Sequence, residues 1–185
     1  MPRRTNGFSL IEILVVIVII GIITGIALLS LGILGDDRQL HTEARRLTSL
    51  VEVAQDEAMM QGREFGVEFM NDSYRFVEFD PFTNQWAELL GDEMMRLREL
   101  PDEVELILTL EGQRVLLDND PARFEDPEET SNLDLTESYS PHVYIFSSGD
   151  ITPFDLDITR RRDDLTVAIK SDLTGAVEIV TGEDQ

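Results

Sequence analysis

Apolar residues follow three patterns along this chain, and each pattern predicts a different kind of structure. From Ile13 to Leu34 no residue is charged, and most residues are isoleucine, leucine or valine. From Leu40 to Ala58 apolar residues recur at helical intervals, and beyond Gly62 apolar and polar residues alternate. The sequence therefore predicts an apolar helix, then an amphipathic helix, then a part rich in β-strands.

The first pattern predicts a transmembrane helix over residues 8–34. Its uncharged run has 22 residues, against roughly 20 needed to cross a bilayer core, and a helix satisfies its own backbone groups in lipid. Arg3 and Arg4 precede the run and two aspartates follow it, which favours a cytoplasmic amino terminus. A cleaved secretory signal is disfavoured by the length, by Glu12 and by the lack of a small-x-small site. A plain single-pass anchor fits the length and the flanking charges.

The second pattern predicts that residues 35–62 continue the same helix with an amphipathic segment. No proline lies between Pro2 and Pro81, and Gly62 is a plausible end. A coiled-coil seam is disfavoured because the stripe is short and rich in alanine, so we expect it to pack on a sheet. The stripe consists of Leu40, Ala44, Leu47, Val51, Ala54 and Ala58, with spacings of four and three residues.

The third pattern predicts a β-rich globular domain over residues 63–185. Seven or eight short strands follow the helix, so we expect an α+β fold in which one long helix packs on antiparallel sheet, in one layer or two. The predicted strands are Phe65–Phe69, Tyr74–Phe79, Val104–Leu110, Arg114–Leu117, His142–Phe146, Phe154–Ile158, Leu165–Ile169 and Ala176–Val180.

Charge and cysteine content narrow the possible partners. The chain has a net charge of −22, and all of this negative charge falls after residue 35, because residues 1–35 carry two arginines and one glutamate. Such a surface repels nucleic acid, so we expect none as a partner. Because the chain has no cysteine, no disulfide can stabilise the part that follows the predicted membrane span, and this part must rely on its apolar core.

Residues 118–140 contain eight carboxylates, one arginine and two prolines. This composition predicts a long acidic loop. Oxygen-rich loops can hold calcium. The EF-hand spacing is absent, however, so a solvated loop is favoured over a calcium site and no cofactor is expected.

Catalytic patterns are weak in this sequence. It contains neither His-Glu-x-x-His nor Gly-x-Ser-x-Gly. A serine, His142 and an aspartate could be brought together only by folding, so we predict that the chain is not an enzyme. The basic cluster Arg160–Arg162 fits a solvated turn with local ion pairs or a docking patch for an acidic partner.

The amino-terminal motif carries a family resemblance. Gly7-Phe8-Ser9-Leu10-Ile11-Glu12 resembles the processing motif of type IV pilins and of type II secretion pseudopilins. The resemblance implies that residues 1–7 form a leader peptide. A prepilin peptidase would cut between Gly7 and Phe8 and then N-methylate Phe8.

Two further features of the apolar segment bear on assembly. After cleavage Phe8 would carry an ammonium group one helical turn from Glu12, and a carboxylate in lipid is tolerable when it is paired with a cation. The cation could belong to the same chain or to a neighbouring subunit, or Glu12 could instead be protonated. Gly21 and Gly25 form a small-xxx-small pattern, which predicts either close helix packing or a weak point in the helix.

The carboxy-terminal segments resemble minor pseudopilins of the H type and related minor pilins. The matching segments are residues 146–154, with Ser-Gly-Asp-Ile-Thr-Pro at their centre, and Asp172–Val177. The resemblance implies a pilin-like fold and a structural subunit at or near the tip of a type II pseudopilus. It implies an inner-membrane location with the globular domain in the periplasm. The partners would be other pseudopilins, the prepilin peptidase and the inner-membrane assembly platform. The alternatives are a minor pilin of a type IV pilus and a membrane-tethered binding domain.

Overall fold

The computed structural model describes residues 10–89, 93, 95–122, 124, 139–172 and 174–180, without the side chains of residues 26–37. Two predictions therefore fall outside the described residues: the cleavage position Gly7–Phe8 and most of the acidic loop. The chain divides into two compact units, Met1–Gln39 and Leu40–Gln185, and each is described by itself.

The helix α1 runs from Leu10 to Gln61, as the helical pattern predicts. In the first unit its apolar side chains from Leu10 to Ile23 are exposed. Among the side chains that the structure describes, no stretch of helix is long and apolar enough to span a membrane. Residues 26–34 of the predicted span lie outside those side chains, so the span stays a prediction.

In the second unit the predicted stripe of α1 is buried in the core. All six stripe residues, from Leu40 to Ala58, are at most 1% exposed, and they belong to the same apolar core as residues of the strands. Alanine at three of the six positions lets the helix approach the strands closely. The helix ends where Gly62 adopts a φ of +66°, and the Gly62 N–H still donates to the carbonyl of Ala58 at 2.9 Å.

The strands form two antiparallel sheets of five strands each, which confirms the predicted α+β class. In the first sheet the order is β3-β2-β1-β7, and β4 also pairs with β2. Its strands are β1 (Phe65–Phe69), β2 (Ser73–Asp80), β3 (Gln85–Glu88), β4 (Arg98–Glu99) and β7 (Val143–Ile145). In the second sheet the order is β10-β9-β8-β5-β6. Its strands are β5 (Val104–Leu110), β6 (Gln113–Arg114), β8 (Asp155–Arg160), β9 (Leu165–Ser171) and β10 (Val177–Val180).

The sequence pattern misses or overextends three strands. The short strands β3 and β4 lack a run of alternating apolar residues, so they were not predicted. The predicted strand Arg114–Leu117 is wrong in extent, because β6 contains only Gln113 and Arg114. Leu116 is 95% exposed, so it is not a core residue, although an apolar residue in a strand was expected to be buried.

The strand β1 is buried on both faces. Its alternation of apolar and polar residues is typical of a strand with one solvated face, yet all five of its residues are buried. One face carries Phe65, Val67 and Phe69 into the core shared with α1. The other face, called the outer face below, carries Gly66 and Glu68 and is covered by chain from elsewhere in the fold.

Candidate interaction site at the end of the helix

One side chain of α1 binds two turns that are distant in sequence. The amide nitrogen of Gln55 donates hydrogen bonds to the carbonyl of Gly149 at 3.1 Å and to the carbonyl of Gly175 at 2.9 Å. Gln55 is only 8% exposed, and a buried amide needs such partners. The two turns belong to the two segments that resemble H-type pseudopilins. The resemblance therefore marks residues that the fold brings together on the helix.

The first turn, residues 146–150, is closed by backbone bonds in both directions. The Phe146 N–H donates to the Asp150 carbonyl at 2.9 Å, and the Gly149 N–H donates to the Phe146 carbonyl at 2.9 Å. Gly149 has a φ of +91°, and a Cβ there would lie 2.8 Å from the sulfur of Met59. Only glycine meets both requirements without strain.

The second turn is organised by the carboxylate of Asp172. It accepts hydrogen bonds from the Thr174 hydroxyl at 2.7 Å, the Thr174 N–H at 2.8 Å and the Ala176 N–H at 3.2 Å. These bonds, with that from the Thr174 hydroxyl foremost, lower the pKa of Asp172. At Gly175 a Cβ would lie 2.6 Å from the Gln55 amide nitrogen. Glycine therefore allows this turn to reach the helix.

An open groove of about 450 Å³ lies between the helix and the two turns. Its walls carry the carboxylates of Glu52, Asp56 and Asp150, and Met59 contributes an apolar surface. Among the residues that the structure describes, no lysine or arginine forms an ion pair with these three carboxylates. The groove thus presents negative charge beside an exposed thioether.

The histidine and serine residues do not come together as a catalytic group in the described structure. The Nδ1 atom of His142 accepts a hydrogen bond from the Phe69 N–H at 3.1 Å, and burial lowers the pKa of His142. The hydroxyl of Ser148 donates to Asp150 at 2.8 Å. His142 is thus engaged with the backbone of β1, and Ser148 is engaged with the carboxylate of Asp150.

The two ends of the acidic loop are held on the outer face of the first sheet. Glu68 of β1 and Arg75 of β2 form an ion pair there, and each side chain is 7% exposed. Glu68 accepts hydrogen bonds from the Ala122 N–H at 2.9 Å and from the Tyr139 hydroxyl at 3.0 Å. The guanidinium of Arg75 lies 4.4 Å from the centroid of the Phe124 ring. The pair therefore joins residues near the two ends of the loop.

This structure tests neither the favoured solvated loop nor the alternative of a calcium site. Most of loop 118–140 lies outside the described residues. Within the described part of the chain, no three His, Asp or Glu side chains are grouped as metal ligands.

The basic cluster is engaged in local ion pairs. Arg160 is 4% exposed and donates to both oxygens of Asp163, at 2.8 and 2.6 Å. Arg161 reaches Glu105 at 4.0 Å. This supports the turn with local pairs over the docking patch, although Arg160 is buried and not solvated as expected.

The residues predicted to act in processing and assembly belong to the first unit or lie outside the described residues. Gly7 and Phe8 lie outside the described residues. Glu12 is exposed in the first turn of α1. Apart from the adjacent residues and the nearby backbone of the helix itself, nothing lies within 4 Å of a Cβ added at Gly21 or at Gly25. Their proposed roles stay predictions.

Comparison with known proteins identifies the family. A model of the prokaryotic N-terminal methylation motif matches residues 2–28, and a model of the family described as type II transport protein GspH matches residues 43–175. Type II secretion system protein H of Pseudomonas aeruginosa is 34% identical, over 86% of either chain. The Aeromonas hydrophila protein of the same name is 29% identical, over 99% of this chain and 97% of its own.

Solved structures show the same fold. The minor pseudopilin EpsH of Vibrio cholerae superimposes with a TM-score of 0.60 at 19% identity, over 80% of this chain and 99% of its own. The solution structure of Escherichia coli GspH gives a TM-score of 0.57 at 18% identity, over 80% and 92%. The two family matches, the curated relatives and the shared fold together lead to one conclusion: this chain belongs to the H-type minor pseudopilins of type II secretion, the GspH family.

Proposed function

We propose that this chain is a structural subunit at or near the tip of a type II pseudopilus, where it helps to export folded proteins across the outer membrane. The observation that carries the proposal is the junction at Gln55. There the two segments that resemble H-type pseudopilins are fastened to the helix by one amide group. The second unit, Leu40–Gln185, is called the head below.

The amino-terminal segment anchors the chain before assembly. Residues 8–34 span the inner membrane with the amino terminus in the cytoplasm, and the head lies in the periplasm. The prepilin peptidase cuts between Gly7 and Phe8 and methylates Phe8. The match to the N-terminal methylation motif over residues 2–28 supports this step.

Glu12 guides the processed helix into the filament. Its carboxylate pairs with the new ammonium group of Phe8, either in the same chain or in a neighbouring subunit. Gly21 and Gly25 then let a second helix approach, since a Cβ added at either position would meet nothing within 4 Å apart from its chain neighbours and the nearby backbone of the helix itself. We expect Glu12→Ala to be inserted and processed but excluded from the pseudopilus, whereas Glu12→Asp should keep part of its incorporation.

The head acts through contacts with other proteins and carries out no reaction. Its partners are other pseudopilins and the inner-membrane assembly platform. No nucleic acid, cofactor or metal takes part in this role. A measured affinity of the folded head for calcium would require a revision of the acidic loop's role.

The deciding experiment removes the gene and measures folded exoprotein in the culture medium, beside the wild type and a complemented strain. Secretion should collapse in the deletion strain while surface pili persist. Normal secretion with lost pili would instead assign the chain to a type IV pilus. If the mass of the chain is unchanged after co-expression with a prepilin peptidase, the membrane-tethered binding domain becomes the better explanation.

A further inference from the structure

A row of aromatic side chains crosses the outer face of the first sheet. The ring centroids of Phe79 and Trp86 lie 5.3 Å apart, and those of Trp86 and Tyr144 lie 5.5 Å apart. Tyr144 and Phe146 are stacked, with centroids 6.1 Å apart and an interplanar angle of 10°. These residues come from β2, β3 and β7 with its following turn. Three separate strands thus contribute to one apolar row.

Gly66 of β1 is the position that makes this row possible. A Cβ on Gly66 would lie 2.6 Å from Pro141 Cβ and 3.1 Å from the Trp86 ring. Because Gly66 has no side chain, the Trp86 ring from β3 extends over β2 to β1, where it meets Tyr144 of β7. The row therefore depends on a glycine at this position of β1.

The Gly149 turn lies between Phe146, the last ring of the row, and Met59 near the end of α1. Gly149 donates its N–H to the Phe146 carbonyl and lies against the side chain of Met59. Met59 is 51% exposed and Phe146 is 39% exposed, and Trp86 and Tyr144 are partly exposed. We call Met59, Phe146, Tyr144, Trp86 and Phe79 the aromatic surface. Exposed apolar area of this kind marks an interaction site more often than a random surface does.

Negative charge borders the aromatic surface at both ends. Asp56 and Asp150 of the groove lie at the Met59 end. Glu88 is exposed two residues beyond Trp86 on the same face of β3. Among the described residues none of these three carboxylates pairs with a lysine or arginine. Aromatic ring faces also attract cations, so the whole surface is complementary to an apolar segment that carries positive charge.

We propose that the aromatic surface docks an apolar segment of a neighbouring pseudopilin that carries lysine or arginine. This docking rests on the proposed function, because it is one of the contacts that the chain would make with other pseudopilins in the pseudopilus. A second copy of this chain is disfavoured because its charge of −22 repels a copy of itself. Cationic side chains of the partner lie over the rings and between the carboxylates, and its apolar atoms cover Met59 and Phe146.

Site-directed photo-crosslinking in cells tests the proposal on the full chain. The chain contains no cysteine, so Phe146→Cys gives one attachment point for a benzophenone maleimide on the aromatic surface. Leu116→Cys is the matched control, because Leu116 is 95% exposed but follows β6 in the other sheet. Products are identified by mass spectrometry, and total chain and secreted exoprotein are measured in the same cultures.

Light should yield a product between position 146 and another pseudopilin, and position 116 should not yield it. Trp86→Ala should lower the yield by on the order of tenfold, as for an aromatic hot spot. Glu88→Lys, on an exposed site that leaves the core intact, should lower it as well. Gln85→Lys, which adds a positive charge to the opposite face of β3, should leave the yield unchanged. Added salt should reduce the wild-type yield.

Several results would overturn the inference. These are the absence of a product at position 146, equal products from positions 146 and 116, a product with an exoprotein or a second copy of the chain, and a yield unaffected by Glu88→Lys. The deletion strain separates this failure from a failure of the proposed function. If deletion abolishes secretion but position 146 gives no pseudopilin product, only the docking surface is wrong. If deletion leaves secretion intact, the pseudopilus role itself fails.

Discussion

Replacing Arg75 by methionine tests how the acidic loop is fixed to the head. Methionine keeps most of the apolar stem but removes the guanidinium. The Glu68 carboxylate then stays in a site where its side chain is only 7% exposed. The substitution also removes the hydrogen bond from Arg75 to the Ala122 carbonyl and the contact of the cation with the Phe124 ring.

The expected loss is about 3–5 kcal/mol in the free energy of unfolding, because a buried charge is left without its partner. The double variant Glu68→Leu/Arg75→Met should lose less, about 1–3 kcal/mol. It leaves no buried charge, although the Ala122 N–H and the Tyr139 hydroxyl lose their acceptor. The double variant should therefore be more stable than Arg75→Met alone.

Urea unfolding of the segment Leu40–Gln185, followed by circular dichroism, measures these differences. Arg161→Met is the matched control. The Arg161 side chain is 64% exposed and lies 4.0 Å from its carboxylate partner, so its loss should change stability by less than about 1 kcal/mol. Limited proteolysis gives a second readout, since Arg75→Met should expose loop 118–140 to faster cleavage.

Two outcomes would refute this reasoning. The pair would not be holding the loop if Arg75→Met cost no more than Arg161→Met. The argument from an unpaired buried charge would fail if the double variant lost at least as much stability as Arg75→Met.

Three further predictions concern other positions. Gln55→Met should lower the free energy of unfolding by about 2 kcal/mol, because two carbonyls lose their hydrogen-bond donor. Gln55→Glu should lower it more, because a carboxylate then faces those carbonyls. Equal losses for the two variants in a urea titration would contradict this order. Gly66→Ala should lower the free energy of unfolding by about 1–3 kcal/mol, because the added methyl group crowds Pro141. It should also shift the fluorescence emission of Trp86, the one tryptophan of the chain. Unchanged emission would contradict this prediction. Burial lowers the pKa of His142, so the folded state favours the neutral ring. The contribution of His142 to folding stability is therefore complete above the unfolded pKa of about 6.5 and is lost as the pH falls. His142→Asn keeps an acceptor for the Phe69 N–H and should lose less stability than the wild type between about pH 7 and pH 5.5; parallel losses in chemical denaturation would exclude this role.

The sequence predicted the helix and most of the strands because their patterns are local. The stripe from Leu40 to Ala58 has helical spacing, and a residue at such positions is buried wherever the helix meets a core. Gly62 ends the helix as predicted because the end needs a left-handed conformation. Short strands such as β4 have too few residues to show any period, so pairing with β2 alone defines them.

The candidate site was only half visible in the sequence. The two carboxy-terminal turns stood out through glycine, proline and aspartate. Nothing in the sequence around Gln55 distinguishes it from a solvated glutamine on the polar side of an amphipathic helix. Its two acceptors lie 94 and 120 residues away, so the helix must first pack before the hydrogen bonds can exist. The same applies to Glu68 and Arg75, whose alternation in β1 and β2 is typical of solvent-facing residues.

By itself the sequence determined the elements that depend on neighbouring residues: the apolar and amphipathic parts of the helix, the turns at glycines, and the motifs that resemble pseudopilins. These follow from spacing and backbone preference within a few residues. The tertiary structure alone decided which polar residues are buried and which apolar residues stay exposed. It joined Gln55 to two turns, covered both faces of β1, and assembled an aromatic surface over Gly66 from three strands. Burial and contact across the fold depend on the packing of distant segments, which no local pattern encodes.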